Sequence, residues 1–173
     1  GTSIENGGVL QKVTLVLYRC GLRKAQRVFF QNTYNYQFMS AKGIVGDNYS
    51  ILPGSGVNLE EHSYEPYPSE EDGIRFLFVG RIMKDKGIGE FLQCAKQIHE
   101  THPECSFSLV GDYDDESYRS VIEKYEKKGI LKFFGQQKDV HSFMKLHHIL
   151  IQPSYHEGLS NVLLEAAACG RPV

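Results

Sequence analysis

Two clusters in this sequence have residue types and spacing suited to a ligand that carries both phosphates and hydroxyls. In the first, Gly80-Arg81 directly follows the buried-type strand pattern Ile74–Val79, and Lys86-Gly87 stands where a helical pattern begins. A strand end followed by a helix start leaves unpaired backbone N–H groups and a partial positive charge at one edge of a sheet. Two cations beside such an edge suit a diphosphate. The residue order is not that of a Walker loop. Gly54-Ser55-Gly56 does not complete a dinucleotide fingerprint either, because Leu59 takes the place of the third glycine. A solvated charged loop is the plainer reading of the same residues.

The second cluster runs from His156 to Ala166 and holds two carboxylates, Glu157 and Glu165, around a glycine-led helix start. Glu165 lies among Val162, Leu163, Leu164 and Ala166, where a carboxylate is expected to be partly buried and needs hydrogen-bond donors. One carboxylate can accept both O–H groups of a vicinal diol. Eight helical steps rise ~12 Å at most. That reach suits hydroxyls at both ends of a ligand and a diphosphate between them, facing the amides of Gly158, Leu159, Ser160, Asn161 and Val162. The plainer alternative makes Glu157 a partner of the helix dipole and Glu165 a surface residue.

The elements that must position these clusters follow a regular rhythm from Gly73 onward. Strands are expected at 74–79, 106–110, 131–134 and 149–152, and helices at 87–101, 116–128, 140–145 and 159–169. Such alternation predicts an α/β fold with a Rossmann-like, doubly wound parallel sheet and ligands at the carboxyl ends of its strands. Upstream, 28–30 and 50–53 read as short strands and 34–42 as a helix closed by Gly43. The Pro53-Gly54-Ser55-Gly56 run and the polar stretch to Asp72 read as a linker. Three segments result, at 1–53, 54–72 and 73–173.

The formal net charge of −2 provides no global field to attract nucleic acid. The charge is uneven, with +4 in residues 1–50 and −6 in the remainder. Cys20, Cys94, Cys105 and Cys169 are scattered, as expected of reduced core thiols in a cytosolic protein. No apolar run reaches the roughly 18 residues of a membrane span, and no signal peptide is evident. Asn48-Tyr49-Ser50 matches a glycosylation sequon, a pattern common by chance. A start without Met and an end at the opening of a strand lead to the expectation of truncation at both ends.

The runs Phe78-Val79-Gly80-Arg81-Ile82, Lys86-Gly87, Pro153-Ser154-Tyr155-His156-Glu157-Gly158 and Glu165-Ala166-Ala167-Ala168-Cys169-Gly170-Arg171-Pro172-Val173 resemble the donor domain of retaining glycosyltransferase family 4, of GT-B fold, with its E-x7-E motif. Residues 25–58 resemble the last strand and helix of the acceptor domain and the hinge. Gly1–Lys24 resembles the basic, apolar helix of members that act on polyprenyl-diphosphate-linked sugars. The resemblance implies that Arg81 and Lys86 hold the donor diphosphate and stabilise the departing nucleoside diphosphate. It further implies that Glu157 faces the sugar, Glu165 takes the ribose hydroxyls, 159–162 act through backbone N–H groups, and Gly135-Gln136 meets the base. No metal or other cofactor is implied. The function implied is transfer of a hexose or N-acetylhexosamine from a nucleotide diphosphate sugar, with UDP as the commonest base in the family. The acceptor would be a glycan or a lipid-linked sugar, in surface-glycan assembly. A piece without its acceptor domain is expected to bind donor rather than turn it over. A non-catalytic nucleotide-sugar-binding module and a GT-B-like epimerase or phosphorylase are the alternatives.

Asp112-Tyr113-Asp114 matches a metal-binding D-x-D, but N-capping by Asp114 or Asp115 suits its position equally. His99/His102 and His147-His148 lack zinc spacing and read as helix-surface and strand-edge residues. No G-x-S-x-G context supports a nucleophile set. For Lys12–Arg27 two readings stand: contact of residues 9–27 with an anionic membrane face or lipid diphosphate, or a core helix with a solvated basic edge. The first would place a cytoplasmic protein at the inner face of the cytoplasmic membrane.

Overall fold

A computed structural model describes residues 8–155 and 157–173. The chain divides into two compact units, Gly1–Ser55 and Gly56–Val173. In the first, α1 (Gly8–Leu22) is followed by β1 (Val28–Phe30), α2 (Thr33–Ala41) and β2 (Tyr49–Ile51). The two strands are parallel, with Val28 opposite Tyr49. Asn32 caps α2 by accepting from the Asn35 amide at 2.8 Å. Tyr36 stacks on Tyr49 with ring centroids 3.5 Å apart. The sequon's Asn48 donates its side-chain N–H to the Ala25 carbonyl at 2.9 Å, so its amide holds a turn. No residue of α1 is buried, and Cys20 on it is exposed, which corrects the expectation of a core thiol there.

The second unit carries β3 (Arg75–Val79), α3 (Ile88–Thr101), β4 (Ser106–Val110), α4 (Arg119–Lys127), β5 (Lys132–Phe133), α5 (His141–Leu146), β6 (Ile149–Leu150) and α6 (Asn161–Ala168). All four strands are parallel, in the order β5-β4-β3-β6. Side chains alternate across the sheet as the two-residue strand period requires. Phe78, Phe107 and Leu109 join a core with Phe91, Leu92 and Ile122 of α3 and α4. Leu77, Val79 and Val110 join another with Met144, Ala166 and Cys169, in and beside α5 and α6. Helices therefore cover both faces, which is why the strands read as nearly continuous apolar runs.

Several expected boundaries shift. The helix expected at 116–128 opens as a 3-10 turn, Glu116–Tyr118, capped by Asp115, which accepts from the Ser117 amide at 3.0 Å. The last helix starts at Asn161 rather than 159. Residues 56–72, read as linker, lie in the second unit. They are held there by Arg171, which is 4% exposed. Its guanidinium donates to the carbonyls of Glu65 (3.1 Å), Pro66 (2.9 Å), Met144 (3.0 Å) and Lys145 (3.2 Å).

His147 and His148 are buried, not strand-edge residues. His148 accepts from the Arg75 amide at 2.9 Å through Nδ1, so Nε2 carries the hydrogen and donates to the Ser69 carbonyl at 3.1 Å. His147 bonds the Phe143 carbonyl through Nδ1 (2.6 Å) and Ser108 Oγ through Nε2 (2.8 Å).

Candidate nucleotide-sugar site

The strand order decides where a ligand fits. From β3 the chain winds outward to β4 and β5, then returns to place β6 on the other side of β3. The connections after β3 and β6 therefore leave the sheet in opposite directions. The crevice between them, at the carboxyl ends of the strands, is the switch point at which open α/β sheets bind ligands. The two sequence clusters are these two connections.

Glycines line the carboxyl edge. Gly80, Gly111 and Gly135 follow β3, β4 and β5 in space, linked by Gly80 N–H to Val110 O (3.0 Å) and Gly111 N–H to Gly135 O (2.9 Å). A Cβ on Gly111 would meet the Gly80 carbonyl at 1.8 Å, so the backbones approach closely only because no side chain intervenes. Gly135 has φ +64, and Gln136 beside it is exposed.

Lys86 and Glu157 form an ion pair in the crevice, with side chains 20% and 26% exposed. Lys86 ends a 3-10 turn, Lys84–Lys86, and Gly87 passes the chain into α3 with φ +72. A Cβ on Gly87 would lie 2.1 Å from the Pro153 carbonyl, so the two connections touch there. Tyr155 adds two ties: its amide donates to Asp85 O at 2.9 Å and its hydroxyl to the Glu90 carboxylate. Ser160 is the N-cap residue of α6, yet its hydroxyl donates to Gln152 Oε1 at 2.5 Å and does not cap the helix. First-turn amides, of Val162 among others, thus receive no bond from the Ser160 side chain. Gly158 and Leu159 are exposed, and Asn161 faces outward beside them. His156 lies outside the described residues.

Arg81 is directed elsewhere. It is exposed and pairs with Asp114 Oδ2 at 2.9 Å, while Asp112 accepts from the Tyr113 amide at 2.9 Å. Both D-x-D carboxylates therefore have partners in the protein. Among the described residues no group of three or more His, Cys, Asp and Glu side chains is arranged to hold a metal ion.

Glu165 is 23% exposed, the half-buried carboxylate expected of its neighbours. Its surroundings could not be read from spacing. His62 Nε2 lies 4.0 Å from Glu165, and the His62 ring meets His141 edge to face with centroids 5.8 Å apart. His141 Nε2 lies 3.4 Å from Glu65, which also pairs with Lys145 at 3.2 Å. Lys145 and then His141 hold the Glu65 carboxyl below its ordinary range. The Nδ1 atoms of His62 and His141 are buried without partners among the described residues, as is the Ser154 hydroxyl in the 153–157 loop.

A glycine-edged switch point with a half-buried ammonium and a carboxylate beside it, and a second carboxylate inside α6, is the arrangement of an open α/β domain with a ligand crevice at its carboxyl edge. Within that class the chain belongs to a specific family: residues 60–173 match glycosyl transferases group 1. It is 25% identical over 168 residues to the N,N'-diacetylbacillosaminyl-diphospho-undecaprenol alpha-1,3-N-acetylgalactosaminyltransferase of Campylobacter jejuni, covering 91% of this chain and 44% of that protein. An Escherichia coli UDP-Gal:alpha-D-GlcNAc-diphosphoundecaprenol alpha-1,3-galactosyltransferase is 31% identical over 139 residues, covering 71% of this chain and 35% of that protein. The crystal structure of Anabaena HepE in complex with UDP and glucose superposes with a TM-score of 0.74 at 19% identity, over 98% of this chain and 49% of that one. The fold is thus the parallel-sheet α/β architecture of GT-B glycosyltransferases. The chain spans less than half the length of these curated relatives.

Proposed function

We propose that the protein is a retaining glycosyltransferase that moves a hexose or N-acetylhexosamine from a nucleotide diphosphate sugar, UDP foremost, to a glycan or lipid-linked acceptor in surface-glycan or glycoconjugate assembly. The meeting of Lys86 and Glu157 at the switch point carries the reading. Sugar departure leaves negative charge on the nucleoside diphosphate. In this reading the Lys86 ammonium and the start of α6 face that developing charge, which is how such a site lowers a barrier. Arg81 adds a second cation after exchanging Asp114 for phosphate, so the reading assigns no role to a metal. Glu157 then faces the sugar, and Glu165 takes the ribose hydroxyls. The amides of 158–162 face the phosphates, and Gly135-Gln136 meets the base.

The lipid-linked acceptor is supported by the undecaprenol-diphosphate-linked sugars in the names of the Campylobacter and Escherichia relatives. Among the described residues no helix is long and apolar enough to cross a membrane. On α1, Val9, Leu10, Val13 and Leu17 are exposed, and Lys12 lies on the same helix. We assign residues 9–27 to peripheral contact with the inner face of the cytoplasmic membrane, reached from the cytoplasm. Arg19 and Arg27 already donate to the Lys42 and Tyr49 carbonyls, which leaves Lys12, Arg23 and Lys24 for lipid headgroups.

The deciding experiment is calorimetry on the full-length protein with UDP-, GDP- and ADP-sugars, followed by Glu165→Ala. One sugar nucleotide should bind, and the substitution should weaken it at least tenfold. Undiminished affinity in Glu165→Ala removes the assignment.

A further inference from the structure

Glu157 sits in a connection without regular structure, between β6 and the start of α6. A carboxylate that orients a sugar must be held to within a fraction of an ångström, and a loop cannot do that by itself. Among the described residues, the holding contacts come from the end of the opposite connection and the first turn of α3. Pro153 packs on Gly87, where any side chain would collide with its carbonyl. The Tyr155 amide bonds the Asp85 carbonyl at 2.9 Å, and the Tyr155 hydroxyl bonds Glu90 in the first turn of α3.

The tyrosine is 57% exposed. Its ring therefore adds little to the core, and its hydroxyl is the part of the side chain with a defined partner. That bond holds the Glu90 carboxyl below its ordinary range and raises the phenol, so near neutral pH the phenol donates and the carboxylate accepts. Glu90 is anchored in turn because α3 buries Ile88 and Phe91 on either side of it.

We propose that Tyr155 and Glu90 are positioning residues for Glu157: their bond ties the chain at Tyr155 to α3, two positions before Glu157, and so sets the carboxylate against the donor sugar. Neither touches substrate in this scheme. The inference rests on the glycosyltransferase reading above and adds to it the device that makes Glu157 selective for the sugar moiety.

The test uses the full-length protein, with UDP and the UDP-sugar that binds it, measured on Tyr155→Phe, Glu90→Ala, Glu90→Gln and the Tyr155→Phe/Glu90→Ala pair. Loss of one charge-assisted bond should weaken the UDP-sugar about tenfold in Tyr155→Phe and in Glu90→Ala. Free UDP, which lacks the sugar, should change by less than about twofold on the same reasoning. Glu90→Gln keeps an oxygen to accept the phenol and should stay near wild type. The double variant should be no worse than either single one, because both remove the same bond. Unchanged UDP-sugar binding in Tyr155→Phe overturns the inference. So does equal loss of UDP and UDP-sugar, which is what general loosening or unfolding would give, and so does additive behaviour of the pair. If Tyr155→Phe is silent while Glu165→Ala abolishes binding, the positioning role fails and the glycosyltransferase reading stands. If wild type binds no sugar nucleotide, both fall.

Discussion

Lys86 and Glu157 lie 71 positions apart in sequence and pair with each other at the crevice between β3 and β6. Under the proposed function, the cation assigned to phosphate is thus already matched to the carboxylate assigned to the sugar. A binding diphosphate would then compete with Glu157 for the ammonium, while a whole sugar nucleotide would give each of them a new partner. Glu157→Gln should therefore tighten free UDP severalfold while lowering turnover by about a hundredfold or more, the scale of losing one preorganised charge. Parallel calorimetry and steady-state assays separate the two effects. A parallel loss of UDP affinity and turnover would show that the pair acts only as a brace.

The contact of Gly87 with Pro153 makes the crevice sensitive to a single methyl group. Gly87→Ala combines φ +72 with a Cβ placed 2.1 Å from a carbonyl oxygen. The left-handed conformation and the clash together should cost about 1–3 kcal/mol of stability. The relief available is separation of the two connections, so donor affinity should fall as well. Thermal unfolding with and without UDP reads both, and a variant as stable and as well stabilised by UDP as wild type contradicts the close approach.

Arg171 joins the 65–66 segment to the end of α5 with one guanidinium. Lysine keeps the charge but cannot supply the planar fork to four carbonyls. Arg171→Lys should lose about 2–4 kcal/mol, the cost of leaving buried carbonyls without donors. Urea denaturation measures this directly, and a loss below about 1 kcal/mol would mean water or neighbouring amides replace the missing donors.

His147 predicts the pH response. Burial holds its imidazole below the ordinary 6.5, with Arg75 and His148 adding to the effect against the Phe143 hydrogen bond. As pH falls, the unfolded chain takes up this proton first. The contribution to stability is therefore complete above 6.5 and is lost as pH drops through that value toward the folded one. His147→Gln should be less stable at neutral pH yet show a flatter stability profile between roughly pH 7 and 5, where only the wild-type histidine is linked to protonation. Equal slopes in urea midpoints across that range would exclude the histidine as their source.

Much of this protein is determined by local sequence. The strands at 74–79 and 106–110 and the helix at 87–101 announce themselves through apolar runs and 3.6-residue periodicity, and they form within a residue or two of the expected bounds. Arg81 and Lys86 could be proposed as site residues because they stand at a strand end and a helix start, and Glu157 and Glu165 because they bracket a glycine-led helix start, positions that periodicity marks. Tertiary structure alone decided their partners. Nothing in the spacing says that Lys86 meets Glu157 while Arg81 meets Asp114, that His62 stands beside Glu165, or that Tyr155 reaches Glu90. Those pairings depend on strand order, and β6 lies beside β3 rather than β5 because of packing summed over both faces of the sheet. The same holds for Arg171, His147 and His148. A polar residue among apolar neighbours reads alike from sequence whether it faces water or, as here, has every donor and acceptor matched inside the protein.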